Sequence, residues 1–597
     1  MLPFEGSRRL TGANLFFAGC GAQLETVGIE PGAALLNDWG ARVRRARAHL
    51  GWPAGPLAAR RHASGTSLAL AAPIDGLLTA TELNEWALCA ALSAADPARW
   101  RDLESALAAA ALEDAAEGAE VIAPVLEESA ALRRLRRLAA REAQPALREL
   151  LRASAARHLP YVLDDELLTL GAGSGGTDFS PGALPAPEAV PWPQLHDIPT
   201  ALVTGSNGKT TSVRLLAACL EAHGLSAAFC CTDGIFLGGQ TLMSGDYSGP
   251  VGARSVLRNR LARAAVIETA RGGILRRGIA VSQAQVALVT NVSADHFGEY
   301  GIDDLAALAE VKLSVAAVLD ERGLLVLNAA DALLVQKAAR LAERFGRRPP
   351  LGWFARDAGE ARQQAQKSGA GPSCGVADGR LVLDFGGATH DLGEIRAMPL
   401  SVDGSARYNI ENLAGAALAA AALGVPPALI ATVLQRFGAR AADNFGRLMR
   451  FERDGVHILI DYAHNPEGLR GLLQVAEHLR GGQGRLGLLL GHAGNRQDAE
   501  IEALAAVAVA FHPALIVIKE NEAHLRGRPP GEIPRLIHAA LRRAGLPDSA
   551  LPLRNSELEA VRCALEWAQP GDVLALPVHA AAARAAVLAL LSAAAPG

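Results

Sequence analysis

The sequence has 597 residues, of which 50% are hydrophobic, and a formal net charge of −4. A chain of this length exceeds one hydrophobic core, so we expect roughly two to four domains. The charge does not favour nucleic-acid binding, and no uncharged apolar run approaches the roughly 18 residues that a membrane span requires. The first residues lack the order of a signal peptide, and seven cysteines without regular spacing fit a reduced, cytoplasmic chain.

The first 170 residues are predicted to form an α+β region with much helix. The stretch SLALAAP at 67–73 is typical of a strand. Thr79 and Glu82 have the spacing of a capping box, which predicts that a helix starts there. Residues 171–199 are rich in glycine and proline and show little periodicity, so we interpret them as a linker.

After the linker, short apolar runs alternate with helical stretches. The runs include TALVTG, RAAVIETA, VALVTNV, HILIDYA, LGLLLGH, ALIVIKE and DVLALPV. This alternation predicts an α/β fold with parallel sheets that carry helices on both faces. The runs fall into two sets, from which we predict two α/β domains at 200–436 and 437–597.

The stretch VTGSNGKTTS, at 203–212, resembles a phosphate-binding loop. The general pattern requires a glycine where this chain has Val203. An apolar strand precedes the loop and an amphipathic helix follows it, which is the context that a phosphate loop needs. In that context Lys209 would reach the β- and γ-phosphates, and Thr210 would offer its hydroxyl to Mg²⁺.

Polar residues also end two further predicted strands. Glu268 ends the strand in AAVIETARGG, and the next strand runs into Asn291, Asp295 and His296. Carboxyl ends of parallel strands meet at one edge of a sheet, where a carboxylate beside a phosphate loop is well placed to hold Mg²⁺. Lys312 follows on an otherwise apolar helical stretch, where a lysine is usually a snorkelling side chain.

Six motifs occur in the order found in Mur-type ATP-dependent amide ligases: TGSNGKTT, ETARGG, NVSADHFG, the lysine of AEVK, NIENLAGAALAAAALG and DYAHNPEGL. TDGIFLGGQ, GDYSGP, ETARGGILRRG and LRGR are most similar to the cyanophycin synthetase family within that superfamily. The resemblance implies a Mur-ligase-type central P-loop ATPase domain at 200–436 and a Rossmann-like C-terminal domain at 437–597.

Residues 1–170 also resemble the front of cyanophycin synthetases, through RRLTGANLF and LPYVLDDELLTLGAG. The second stretch resembles the start of that family's ATP-grasp domain. Only the linker at 171–199 follows it, too short for a complete ATP-grasp domain. The plan therefore resembles the short form of the family, which polymerises ready-made β-aspartyl-arginine dipeptides.

The resemblance also implies roles for individual residues. It implies catalytic roles for Lys209, Glu268, His296 and Lys312, with Lys312 carried as a carbamate. It implies ATP binding by Gly205, Ser206, Asn207, Gly208, Lys209, Thr210, Thr211, Asn409, Asn412, Arg447, Asp461, Tyr462 and His464. It implies two Mg²⁺ ions, held by Thr210, Glu268 and His296.

The implied function is ATP-dependent amide ligation. A carboxylate at the end of a peptide polymer primer is activated as an acyl phosphate, and the amine of β-Asp-Arg or of another amino-acid substrate attacks it. The candidate substrate contacts are Asp233, Asp246, Tyr247 and Arg271, and acidic side chains suit a guanidinium. The family also implies a homo-oligomer, such as a dimer, without nucleic-acid or membrane partners.

Two alternatives remain open on the sequence. One is a Mur-type ligase that adds another amino acid to a different peptide acceptor. The other is a non-catalytic partner of a long cyanophycin synthetase that binds ATP or polymer. Such a partner would be expected to have lost some of Lys209, Glu268, His296 and Lys312, and all four are present.

Overall fold

The computed structural model describes residues 2–113, 123–294, 297–482, 484–494, 497–520 and 525–592. The α/β fold class is confirmed, because parallel strands with helices between them form the two larger sheets. Within the described residues, none of the helices combines the length and the apolar character that crossing a bilayer requires.

The N-terminal region folds around an antiparallel sheet. Its strands are β1 (Phe4–Leu10), β2 (Gly21–Thr26), β3 (Leu57–His62) and β4 (Gly65–Ala71), in the order β1-β2-β4-β3. Its helices are α1 (Ala33–Leu50), α2 (Leu77–Ala95), α3 (Leu103–Glu113), α4 (Glu128–Glu142) and α5 (Pro145–Ala155). Helices α1, α2 and α4 pack against this sheet and enclose one apolar core.

The capping box predicted at Thr79 and Glu82 is wrong. Helix α2 already begins at Leu77, and its N-cap residue, Gly76, has no side chain that could cap the first turn. Instead, the carboxylate of Glu142 in α4 accepts hydrogen bonds from the backbone N–H groups of Leu78 (2.7 Å) and Thr79 (2.9 Å). A carboxylate from another helix thus satisfies the first turn, which a local pattern cannot reveal.

The segment after α5 contains a small sheet. Its strands are β5 (Tyr161–Leu163), β6 (Leu168–Leu170) and β7 (Thr177–Phe179). Strand β7 lies inside the predicted linker at 171–199, and Val190 and Leu195 of the same segment are buried in a core with Leu168. The segment therefore packs locally, and the division of the chain into domains stays a prediction.

The central sheet has the order β11-β10-β9-β12-β8-β13-β14-β15-β16-β17-β18. Its strands are β8 (Thr200–Thr204), β9 (Ala227–Cys231), β10 (Gly234–Leu237), β11 (Gln240–Ser244), β12 (Ala264–Glu268), β13 (Ala284–Val289), β14 (Leu319–Asn328), β15 (Leu351–Asp357), β16 (Ser373–Ala377), β17 (Arg380–Phe385) and β18 (Ala388–Glu394). Strands β9, β12, β8, β13, β14, β15 and β16 run parallel. Their apolar runs are buried on both faces, as parallel sheets require.

Helices cover the central sheet on both sides. They are α6 (Lys209–Ala222), α7 (Pro250–Arg258), α8 (Arg271–Arg277), α9 (Leu305–Lys312), α10 (Ala332–Ala338), α11 (Leu341–Phe345), α12 (Ala358–Lys367), α13 (Arg407–Ala422) and α14 (Pro427–Leu434). The alanine-rich helix α13 is buried almost throughout, because small side chains allow it to pack closely between α6 and the sheet.

The last sheet has the order β19-β20-β24-β21-β22-β23, and all of its strands except β19 run parallel. The strands are β19 (Met449–Arg453), β20 (Val456–Asp461), β21 (Leu486–Leu490), β22 (Leu515–Lys519), β23 (Leu553–Arg554) and β24 (Val573–Pro577). The helices are α15 (Pro466–Arg480), α16 (Asp498–Val509), α17 (Glu532–Arg543), α18 (Glu557–Trp567) and α19 (Ala581–Ser592). The carboxyl end of β20 faces the loop that follows β8.

Candidate active site

The loop between β8 and α6 has the backbone that two glycines make possible. Gly205 has a φ of +146°, and a Cβ there would lie 1.8 Å from the Oγ1 of Thr290. Gly208 has a φ of +84°, and a Cβ there would lie 2.2 Å from the Oδ1 of Asn412. Val203 is buried inside β8, so the position that departs from the general pattern belongs to the strand. The tight loop directs the N-terminus of α6 at the cavity, which favours a bound anion.

Side chains of the loop are held by the strand ends beside it. The backbone N–H of Asn207 donates to Asn291 Oδ1 (2.9 Å), and Ser206 Oγ donates to the carbonyl of Ser293 (2.9 Å). The Nζ of Lys209 donates to the carbonyl of Ser206 (2.9 Å). Asn291, which the sequence placed after a neighbouring strand, therefore shapes the loop directly.

Glu268 meets the loop from the end of β12, the strand beside β8. Its Oε2 accepts a hydrogen bond from Thr210 Oγ1 (2.8 Å), which also lies 2.9 Å from Thr232 Oγ1. Burial raises the pKa of Glu268, while the charge of Lys209 and the Thr210 hydrogen bond oppose this shift. A buried carboxylate and a hydroxyl are hard oxygen donors, so this pair fits Mg²⁺.

Lys312 is the last residue of α9 and is buried, with 3% of its surface exposed. It lines the same cavity as Lys209, Thr210 and Glu268, so it does not snorkel to solvent. His296, the other residue of the predicted metal and catalytic set, lies outside the described residues.

Helix α13 brings two asparagines to the cavity. Asn412 Nδ2 donates to Asn409 Oδ1 (3.1 Å), and Asn409 Nδ2 donates to the carbonyl of Leu400 (3.1 Å). Both side chains are buried and line the cavity beside Gly208. The hydrogen bonds fix their orientation, which suits recognition of a flat polar ring.

The C-terminal sheet supplies the opposite wall. The guanidinium of Arg447 lies 4.3 Å from the ring centroid of Tyr462 and donates to Thr210 Oγ1 (3.4 Å). Asp461 accepts from the backbone N–H groups of Leu448 (2.6 Å) and Ala463 (2.7 Å), so it shapes this wall. Tyr462 and His464 also line the cavity, and their ring centroids are 5.5 Å apart.

These residues enclose one cavity of about 590 Å³ between the two sheets. Of the candidate residues that the structure describes, Asp233 is the one that does not line it. The cavity also has walls that sequence reasoning missed, formed by Glu299, His492, Arg526 and His579. Arg526 belongs to the LRGR motif, but no residue of that motif was assigned to the site; the other three follow strands or lie in turns, so their positions depend on the fold.

Two family models match the chain. The Mur ligase middle domain matches residues 203–420, and the Mur ligase glutamate ligase domain matches residues 446–576, which together make up more than half of the chain. The chain belongs to the Mur ligase family. Within it, the chain is 34% identical to a cyanophycin synthetase of Trichormus variabilis over 387 residues, 64% of this chain and 42% of that protein.

Other members of the Mur ligase family are also similar. A UDP-N-acetylmuramoyl-L-alanyl-D-glutamate–2,6-diaminopimelate ligase of Xanthomonas campestris is 29% identical over 62% of this chain and 70% of that protein. The solved structure of E. coli FolC with DHPP and ADP has a TM-score of 0.46 and 18% identity, and the match covers 66% of this chain and 89% of that chain. The chain spans about two fifths of the length of the cyanophycin synthetases it matches.

In this Mur ligase family member, the two matched regions are joined by polar contacts across the cavity. Asn465 Nδ2 donates to Asn207 Oδ1 in the phosphate-type loop (2.9 Å). Asn444 Nδ2 donates to Thr211 Oγ1 on the first turn of α6 (3.2 Å). The loop at 205–208 is thus in direct contact with the C-terminal region.

Asp233 does not occupy the place expected of a substrate contact. Its carboxylate accepts from Arg214 (2.9 Å) and Arg584 (2.5 Å), lies 3.6 Å from Arg447, and is 6% exposed. These guanidinium groups neutralise the carboxylate, and Asp233 does not line the cavity, so its role as a substrate contact stays a prediction. Arg214 belongs to α6 and Arg584 to α19, so Asp233 connects the central region to the C-terminal region.

The other three candidate substrate residues line the cavity. Asp246 accepts from the N–H (3.0 Å) and the hydroxyl (2.7 Å) of Ser248, and Tyr247 follows it. Arg271 opens α8 and donates to Glu299 Oε2 (2.5 Å). Charges of both signs therefore lie at this end of the cavity.

Proposed function

We propose that this protein is an ATP-dependent amide ligase of the cyanophycin synthetase type, which activates a carboxylate as an acyl phosphate and joins it to an amine. The observation that carries the proposal is the single cavity in which the loop 205–211, Glu268, Lys312 and Arg447 converge. A nucleotide-binding loop alone would suit many reactions. A second α/β region that forms the opposite wall of the cavity suits a reaction whose intermediate must be kept from water.

Several residues of this chain would take part directly in the proposed reaction. Lys209 and the N-terminus of α6 neutralise charge on the phosphates, and Arg447 adds a second cation from the opposite wall. Thr210 and Glu268 would hold Mg²⁺, which when bound would neutralise phosphate charge. A second Mg²⁺ at His296 and a carbamate on Lys312 remain proposals by resemblance.

A carboxylate is a poor electrophile. Its conversion to an acyl phosphate provides a good leaving group. The attacking amine expels phosphate and forms the amide. The contacts of Asn465 and Asn444 with the loop hold the C-terminal region against the site, so water is excluded while the acyl phosphate exists.

For the substrates we propose β-Asp-Arg as the amine and the end of a peptide polymer primer as the carboxylate. The support is a cavity end that carries the carboxylate of Asp246 for a guanidinium, beside the ion pair of Arg271 and Glu299, whose partners a charged substrate could exchange for its own groups. Similarity to cyanophycin synthetases at 34% identity points to the same substrates.

A second candidate is a ligase that adds a different amino acid to another peptide. The similarity to the diaminopimelate ligase, which is covered over 70% of its length, favours it. Diaminopimelate offers an ammonium where β-Asp-Arg offers a guanidinium, so the amine donor distinguishes the two candidates.

A donor panel tests the proposal. A short β-Asp-Arg polymer is incubated with ATP and, separately, with β-Asp-Arg, Asp, Arg, Lys, Glu or diaminopimelate, and ADP release is measured. We expect release with β-Asp-Arg alone, with each turnover lengthening the polymer by one dipeptide in mass spectra. Release with free Arg or another single amino acid, and none with the dipeptide, would overturn the substrate assignment.

A further inference from the structure

We propose that the N-terminal sheet is a positioning element of the catalytic cavity, acting through the turn at 299–303. The inference rests on the proposed function, because it concerns the substrate end of that cavity. The turn follows the region of the predicted metal residues and carries Glu299, which lines the cavity.

The turn combines an unfavourable backbone conformation with two hydrogen bonds of its own. Tyr300 has a φ of +55° and Gly301 a φ of +65°, which is an unfavourable region for a tyrosine. Two backbone hydrogen bonds close the turn, from Gly298 N–H to the carbonyl of Ile302 (3.0 Å) and from Ile302 N–H to the carbonyl of Glu299 (3.2 Å). Such a conformation persists when surrounding structure supports it.

The N-terminal sheet provides that support from strands β1 and β3 and the turn after β3. Arg60 donates a hydrogen bond to the carbonyl of Gly301, and the N–H of Ala63 donates to Asp303 Oδ2 (2.7 Å). The ring of His62 packs so closely on Gly301 that a Cβ there would lie 2.5 Å from it. The guanidinium of Arg8 lies 5.1 Å from the centroid of the Tyr300 ring.

A single carboxylate holds two of these supporting side chains, Arg8 and His62, in place. Glu25 of β2 accepts from Arg8 Nη2 (3.1 Å) and Ser67 Oγ (2.7 Å), and lies 3.0 Å from His62 Nε2. Its side chain is 11% exposed. Arg8 and His62, which pack on Tyr300 and Gly301, therefore belong to one hydrogen-bonded network in the N-terminal sheet, while Arg60 and Ala63 bond to the turn directly.

The turn passes this support on to the substrate end of the cavity. Glu299 accepts from Arg271 Nη2 at 2.5 Å, and both residues line the cavity. Lys209 and Thr210 follow β8, which pairs with β12 and β13, and the loop is bonded to Asn291 and Ser293 after β13. Movement of the turn would thus displace Glu299 and Arg271 and leave the phosphate-type loop in place.

A double-mutant cycle tests this coupling. We expect Arg60→Met to raise the KM for the amine donor about tenfold, because losing a hydrogen bond from a charged group costs about that much. The KM for ATP should stay unchanged. Because Arg60 acts through Glu299, the double variant with Glu299→Gln should be no worse than the poorer single variant. Arg61→Met is the control, since Arg61 neighbours Arg60 but donates to Pro31 (3.1 Å), away from the turn.

An activity-free measurement separates this inference from the proposed function. Hydrogen exchange of the 297–303 peptide should be faster in Arg60→Met and in Asp303→Ala than in the wild type and Arg61→Met. Absence of ligation by the wild type with every donor would remove the proposed function and leave this test standing. The positioning role would be overturned if hydrogen exchange were unchanged in both variants. It would also be overturned if the KM increases of the two single variants multiplied in the double variant, or if the KM for ATP rose as much as that for the amine donor.

Discussion

Lys209→Ala is expected to lower the rate of ADP formation by about 10³-fold or more. Lys209 is the cation on the loop that faces the transferring phosphate, and loss of such a charge removes stabilisation that no neighbouring lysine of the loop can replace. Its Nζ donates a hydrogen bond to the carbonyl of Ser206 within the same loop, so the fold should tolerate alanine. The measurement is a coupled ADP assay at saturating donor and primer.

Lys367→Ala is the matched control. Lys367 lies in the last turn of α12, is exposed, and does not line the cavity. We expect its rate to equal that of the wild type. Turnover of Lys209→Ala within about tenfold of the wild type would show that the loop does not carry phosphoryl transfer.

Asp233→Asn should have the second large effect, on closure and on stability. Asparagine keeps the shape and removes the charge, which leaves the buried guanidinium groups of Arg214 and Arg584 without their carboxylate. Breaking a buried ion pair typically costs about 3–5 kcal/mol. Because Arg584 and Arg447 come from the C-terminal region, part of this cost should appear as separation of the two regions. We expect a lower urea midpoint and a larger radius of gyration in solution scattering.

The control for this variant is Asp391→Asn. Asp391 pairs with Arg380 on β17, and both side chains are about half exposed, so solvent screens the pair and its loss should change little. The kinetic result distinguishes the two roles considered for Asp233. A role in closure predicts a lower kcat and an altered KM for ATP. A rise confined to the KM of the amine donor, at unchanged compactness, would restore Asp233 as a substrate contact.

Local patterns were sufficient for the parts of the site that local structure builds. The loop 205–211 is one strand, two glycines and one helix, and Glu268 stands at a strand end, so spacing alone places them together. The capping box at Thr79 failed because Glu142, 63 residues away, takes the N–H of that turn. Local sequence patterns fail where a residue that is distant in sequence makes the hydrogen bond that the pattern assigns to a near neighbour.

The roles of Asp233 and Arg60 lay beyond such rules for the same reason. Arg584 is 351 residues from Asp233, and Gly301 is 241 residues from Arg60. One available signal was Arg584 itself, a single charge in the alanine-rich helix α19, which indicates a buried partner. The presence of Arg584 in this helix does not indicate which carboxylate of the chain is its partner.

The central claim is that a carboxylate is activated by phosphorylation and then attacked by an amine. It is tested most directly with a primer whose terminal carboxylate carries ¹⁸O at both oxygens, in unlabelled water with ATP and β-Asp-Arg. The dipeptide is kept below the primer concentration so that each primer is extended once; one labelled oxygen should then leave with the phosphate of that addition, and the other should remain in the new amide carbonyl. Unlabelled phosphate, or the label in AMP, would contradict an acyl phosphate and with it the account of this cavity.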